Sequence, residues 1–164
     1  MLVLTMIGVL IPLVIAVTSG NLDISHNDDF AHRRAALELF TNHRLAGDGW
    51  FGMTLIGLVL WAQPFLLATA GAPWALGLAT AVLATLGIAA ANALLRSVPQ
   101  VSNPGLAVLG LVLFPGFAAY TSTFMTDVST VAGTLISLAF GAVSSRRSAP
   151  RASSPGGSTR SRSC

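Results

Sequence analysis

The chain has 164 residues, 53% hydrophobic and only 9% charged, with a mean hydropathy of +0.72. Soluble domains carry about 25% charged residues, so the composition excludes an ordinary soluble globule and points to an integral membrane protein. The net charge is +3, but there is no lysine and five of the nine Arg follow residue 143; a basic tail beside apolar runs suits anionic cytoplasmic lipid, so no nucleic-acid partner is expected.

Met1–Thr18 is an apolar run of about 18 residues, roughly 27 Å as a helix and near the lower limit for a span. The competing reading is a cleavable signal peptide. The run has no charged leading region and no Ala-x-Ala site, which favours a retained span.

Ser19–Gly49 is the polar stretch before the tail, with all three histidines and five of the six acids. Within it, Phe30–Ala46 is predicted as an amphipathic helix along the membrane surface, with Phe30, Leu37 and Phe40 down and Arg33, Arg34 and Glu38 up. Asn27, Asp28 or Asp29 supplies its N-cap and Gly47 its stop.

Three apolar runs follow. Trp50–Ala70 is interrupted at Gln63-Pro64, Pro73–Leu95 ends at Arg96, and Gly105–Met125 is broken at Phe114-Pro115-Gly116. A last run, Val128–Val143, has 16 residues, about 24 Å as a helix and short of a hydrocarbon core of about 30 Å. Gln63 and Asn92, polar within apolar runs, are predicted to make hydrogen bonds between helices. From Ser144 the 21 remaining residues hold eight Ser and five Arg, a composition that cannot pack a core. That tail is either a flexible cytoplasmic segment or an out-of-frame reading of GC-rich DNA. The lone cysteine, Cys164, leaves no disulfide framework and no thiolate metal site.

The residues that bear chemistry are few. Asp28-Asp29 follows the first apolar run and Asp127 follows the Pro-broken one. Ionisable groups at membrane boundaries are costly and often functional, although an acid before an apolar-periodic stretch is also an ordinary helix cap. His26, His32 and His43 are 6 and 11 residues apart, which does not put them on one helix face as metal ligands.

Two local sequences carry a resemblance. Asn27-Asp-Asp-Phe-Ala31, followed by an Ala/Arg/Leu-rich helix and Gly47-Asp-Gly-Trp50, resembles the first external loop of the GT-C glycosyltransferases. The nearest branch is family 39-like, which holds protein O-mannosyltransferases and the aminoarabinose transferases of lipid A. Thr123-Phe-Met-Thr-Asp-Val128, after Leu113-Phe-Pro-Gly-Phe117, is similar to the second acidic motif of the same enzymes. The resemblance covers about residues 1–143, roughly the N-terminal third of such an enzyme. It implies an all-α, polytopic membrane protein that transfers a sugar, with inversion, from a polyprenyl-phosphate donor to an acceptor hydroxyl or lipid. It makes Asp28 the general base, with Asp29 and Asp127 in the same site, either orienting the acceptor or holding a divalent cation. Arg33 and Arg34 become candidates for the donor phosphate.

A shared site requires both acidic patches on one side of the membrane. Three runs separate them, so one run should not cross, and Trp50–Ala70 is the natural juxtamembrane or re-entrant segment. Four crossings then put Asp28-Asp29 and Asp127 outside, and Arg96 and Arg146-Arg147 inside, in accord with the positive-inside rule. The lysine-free, Ala- and Arg-rich usage points to a GC-rich bacterium and its inner (plasma) membrane. Because the resemblance spans part of an enzyme, the expectation is a fragment with little activity alone, completed by a C-terminal half or a partner subunit. The alternatives are a small multi-span scaffold that docks partners through the surface helix and, more weakly, a transporter.

Overall fold

A computed structural model of the chain describes residues 1–24, 29–45 and 56–148. Among the described residues every regular element is helical. The first apolar run forms one rod: α1 (Leu2–Thr5) and α2 (Ile11–Thr18) are joined without interruption by a π-helical stretch, Met6–Leu10. After a short 3₁₀ turn, Asn21–Asp23, the chain continues through α3 (Asp29–Asn42), α4 (Ile56–Ala68), α5 (Trp74–Arg96), α6 (Pro104–Val112), α7 (Pro115–Tyr120) and α8 (Thr126–Ser148). Two helices, Trp74–Arg96 and Thr126–Ser145, are long and apolar enough to cross a membrane, by length and composition.

Helix α5 is the axis of the fold, and different stretches of it serve two apolar clusters. Ala81, Ala84, Ile88 and Ala91 pack with Leu4 and Val9 of the first rod, Val108 and Val112 of α6, Phe117 of α7 and Val128 of α8. Ala75, Leu76 and Ala79, all in its first two turns, pack with Ala35 and Ala36 of α3, with Leu58, Val59, Ala62 and Leu66 of α4, and with Phe124. Small residues set the close approaches. A Cβ at Gly87 would lie 2.8 Å from Cβ and 2.9 Å from Cα of Ala132, and one at Gly8 would lie 2.7 Å from Cγ1 of Val112. Such contacts hold helices together where lipid supplies no hydrophobic drive.

The contacts also fix direction. Gly8 meets the Ile88 level of α5 while Leu22 meets Gly77, so the first rod runs antiparallel to α5. Gly87 meets Ala132 while Ala93, Leu94 and Arg96 share a hollow with Ala139, Ala142 and Val143, so α8 runs parallel to α5. The α6–α7 segment, broken where Phe114 turns extended (φ −62°, ψ 120°) before Pro115, returns between them. The four rods therefore alternate.

Several sequence expectations change. The surface helix, described from Asp29, stops at Asn42, because His43 takes a left-handed conformation (φ 54°) and ends the hydrogen-bond ladder before Gly47 is reached. Helix α4 passes through Pro64 instead of breaking there. Its polar neighbour Gln63 donates to Val59 O at 3.0 Å and to Ala36 O at 3.2 Å, which ties α4 to α3 as expected of an amide in an apolar setting. Trp61 Nε1 donates to Ala79 O at 2.9 Å and ties α4 to α5. The α4–α5 turn closes with Ala70 and Gly71 at positive φ (53° and 85°) and Gly71 N donating to Leu66 O at 2.8 Å. Gly71 is doubly required, since a Cβ there would lie 2.7 Å from the Phe40 ring. Finally, the last helix is 23 residues, not 16. Thr126 and Asp127 start it, and the Ser/Arg residues 144–148, expected to be unstructured, continue it by one more turn. The remainder of the tail, 149–164, lies outside the described residues.

Candidate functional site

The acidic segment begins where the first rod ends. Gly20, at φ 70°, turns the chain out of the helix, and Asn21–Asp23 folds back toward the start of α5. Asp29 is the first helical residue of α3, where the helix dipole favours a negative charge. It is fully enclosed, and Arg33, one turn on, places Nη1 3.7 Å from its carboxylate.

Arg33 was expected on the outer, polar side of the helix. It is instead 7% exposed and faces the packed interior. Its Nη1 donates to Leu22 O and Ile24 O and its Nη2 to Leu22 O and Pro73 O, each at 3.3 Å. One guanidinium therefore clamps three segments: the turn after the first rod, α3, and the residue before α5. This is the work of a planar, multi-donor cation with its charge balanced by Asp29. Asp29 and Arg33 are four residues apart, so the pairing was legible in the spacing alone.

The remaining candidates lie elsewhere. Asp28 falls outside the described residues, as does His26. Arg34 is exposed and lines a surface hollow of about 400 Å³ with Phe30, Leu37, Glu38 and Thr41. Asp127 is exposed in the first turn of α8, at the rim of an apolar hollow of about 170 Å³ with Phe114, Phe117, Tyr120 and Val131. Gly77 joins the two acidic regions. A Cβ there would lie 2.6 Å from Ser122 O and 3.2 Å from the Leu22 side chain. The segment leading to Asp28-Asp29 and the segment leading to Asp127 thus meet over the first turn of α5. The hollow beside Arg34 and the hollow beside Asp127 have no lining residue in common.

The donor set argues against Asp29 as a metal ligand, because its carboxylate is enclosed beside a guanidinium. Among the described residues no three His, Cys, Asp or Glu gather in one place. The residues sequence reasoning missed are Tyr120, Ser19 and Asn21. Together with Ser122 and Thr123 they line a third and larger groove, about 580 Å³, between the end of α2 and α7.

No protein-family model, curated protein or solved structure matches the chain.

Proposed function

We propose that the chain is the acid-bearing membrane module of a lipid-linked sugar transferase of GT-C type, with four crossings and its acidic segments on the external face of the plasma membrane. The observation that carries the reading is the meeting of Leu22 and Ser122 over Gly77, at the end of the bundle opposite Arg96. That contact holds the chain on its way into each acidic segment at one end, which supports a shared site.

The two acids of the first pair then divide their roles. Asp29 and Arg33 anchor the loop, which leaves Asp28 as the general base. Its carboxylate takes the proton of an acceptor hydroxyl as that oxygen attacks the anomeric carbon. The new C–O bond forms as the bond to the polyprenyl phosphate breaks on the opposite face, so configuration inverts. Asp127 orients the acceptor from the start of α8, and Arg34, exposed one helical position beyond the clamp, meets the departing phosphate. No metal is needed in this scheme.

The test is sugar transfer from a radiolabelled polyprenyl-phosphate donor in membranes that contain the chain and whatever partner completes it. Asp28→Asn should lower the rate by about 10²–10⁴, the usual contribution of a general base. An unchanged rate in Asp28→Asn membranes sinks the reading. The scaffold reading is favoured by one observation, the commitment of Asp29 and Arg33 to a purely structural clamp. It predicts that Asp28→Asn and Asp127→Asn leave all associated proteins bound and that no transfer is ever found.

A further inference from the structure

The groove between α2 and α7 changes polarity along its length. Its floor, nearer the middle of the bundle, is Ile15 on one side and Ala118 on the other. One to two turns on, toward the end where the acidic segments meet, the lining becomes Ser19, Asn21, Tyr120 and Ser122. On α2 alone, Pro12 to Ser19 is about 10 Å of rise. An apolar trough that opens on hydroxyls and an amide at the end of a hydrophobic bundle matches a lipid lying along the bundle axis with its headgroup at the mouth.

The chemistry of the mouth narrows the headgroup. The side chains that line the mouth, Ser19, Asn21, Tyr120, Ser122 and Thr123, are uncharged. A phosphate or carboxylate headgroup is ordinarily met by a guanidinium, an ammonium or convergent N–H groups. The mouth offers side chains that both donate and accept, and an aromatic ring with a polar tip, which suit hydroxyl groups. The Ser19 hydroxyl donates into its own helix, to Ile15 O at 2.7 Å, and so turns its acceptor lone pairs outward.

We infer that this groove binds a lipid with an uncharged, hydroxyl-rich headgroup, a glycolipid in chemical class, with its chain against Ile15 and Ala118. Tyr120 also lines the Asp127 hollow, so the headgroup would sit one side chain from that acid. The inference does not rest on sugar transfer, because its readout is binding.

The purified full chain in nanodiscs is photolabelled with a diazirine-bearing long-chain alkyl glucoside, in competition with either monoglucosyl diacylglycerol or phosphatidylglycerol. Labelled peptides should come from residues 12–21 and 118–123, and the glycolipid should compete at a concentration at least tenfold below that of the anionic lipid. Ala119→Trp projects into the groove from an exposed position and should cut labelling at least fivefold. Asn21→Ala, also exposed, should leave labelling in place but reduce the preference for the glycolipid. Equal or better competition by phosphatidylglycerol overturns the proposal. So does labelling that maps elsewhere or is indifferent to Ala119→Trp, the result expected if a protein helix covers the groove.

Discussion

Arg33 shows how far one side chain can depart from its expected setting when its charge is balanced. Composition and helical phase put it with Arg34 and Glu38 on a wet face, yet it lies inside, beside Asp29 and three backbone carbonyls. Removing one partner of a buried pair is more damaging than the pair is stabilising, because the survivor remains an uncompensated charge. Arg33→Met strands the enclosed Asp29 and should cost about 3–5 kcal/mol. Asp29→Asn should cost less, about 1–3 kcal/mol, because the guanidinium keeps its carbonyl acceptors. Unfolding in mild detergent with graded SDS reads the order; an Asp29→Asn variant weaker than Arg33→Met would show that the carbonyls do not hold the arginine. Arg33→Lys should fall between wild type and Arg33→Met, since one ammonium cannot reach carbonyls on both sides of the clamp.

At the scale of elements, the apolar runs and the break at Phe114-Pro115 were legible and the packing faces were not. The break at Phe114-Pro115 and the interhelical role of Gln63 follow from local chemistry: a ring that blocks the ladder, and an amide that must find a partner in an apolar setting. Pro64 misled for a physical reason. A proline costs a helix one hydrogen bond, but packing of Leu58, Val59, Ala62 and Leu66 on both sides keeps α4 continuous across it. The end of α8 misled because composition was weighed without the helix already running into it; Ser144–Ser148 extend an established ladder at little cost. Glycines separate packing from mere tolerance. Gly87→Ala forces its Cβ onto the Ala132 backbone and should destabilise the α5–α8 contact by about 1–3 kcal/mol. Gly133→Ala and Gly141→Ala, on the same helix α8 with nothing within 4 Å, should be neutral or stabilising by up to about 1 kcal/mol. The same SDS unfolding assay compares them, and equal losses at all three positions would mean that α8 does not lie against α5 as described.

For the whole molecule, the decisive quantity is the number of times the chain changes sides. The lengths permit crossings by α5 and α8, each 23 residues or about 34 Å. The first rod, 17 residues from Leu2 to Thr18, comes to about 26 Å, enough where a bilayer thins to meet it. Helix α4 is different. The part of it that the structure describes, Ile56–Ala68, meets the apolar face of α5 at Ala75, Leu76 and Ala79. A full crossing beside α5 would be expected to use the next turns as well, but Ala81, Ala84, Ile88 and Ala91 are taken by the first rod, α6 and α8. The alternation of the four rods puts Leu22 and Asp127 at the end of the bundle where α5 starts and Arg96 at the other. Single cysteines at positions 28, 127 and 96, in a Cys164→Ser background, can be labelled with an impermeant maleimide in spheroplasts and in inverted vesicles. Positions 28 and 127 should react from the external face and position 96 from the cytoplasmic face. Reaction of 28 and 127 from opposite faces would mean that α4 crosses. The two acids could then share no site, and the transfer chemistry would fall with it.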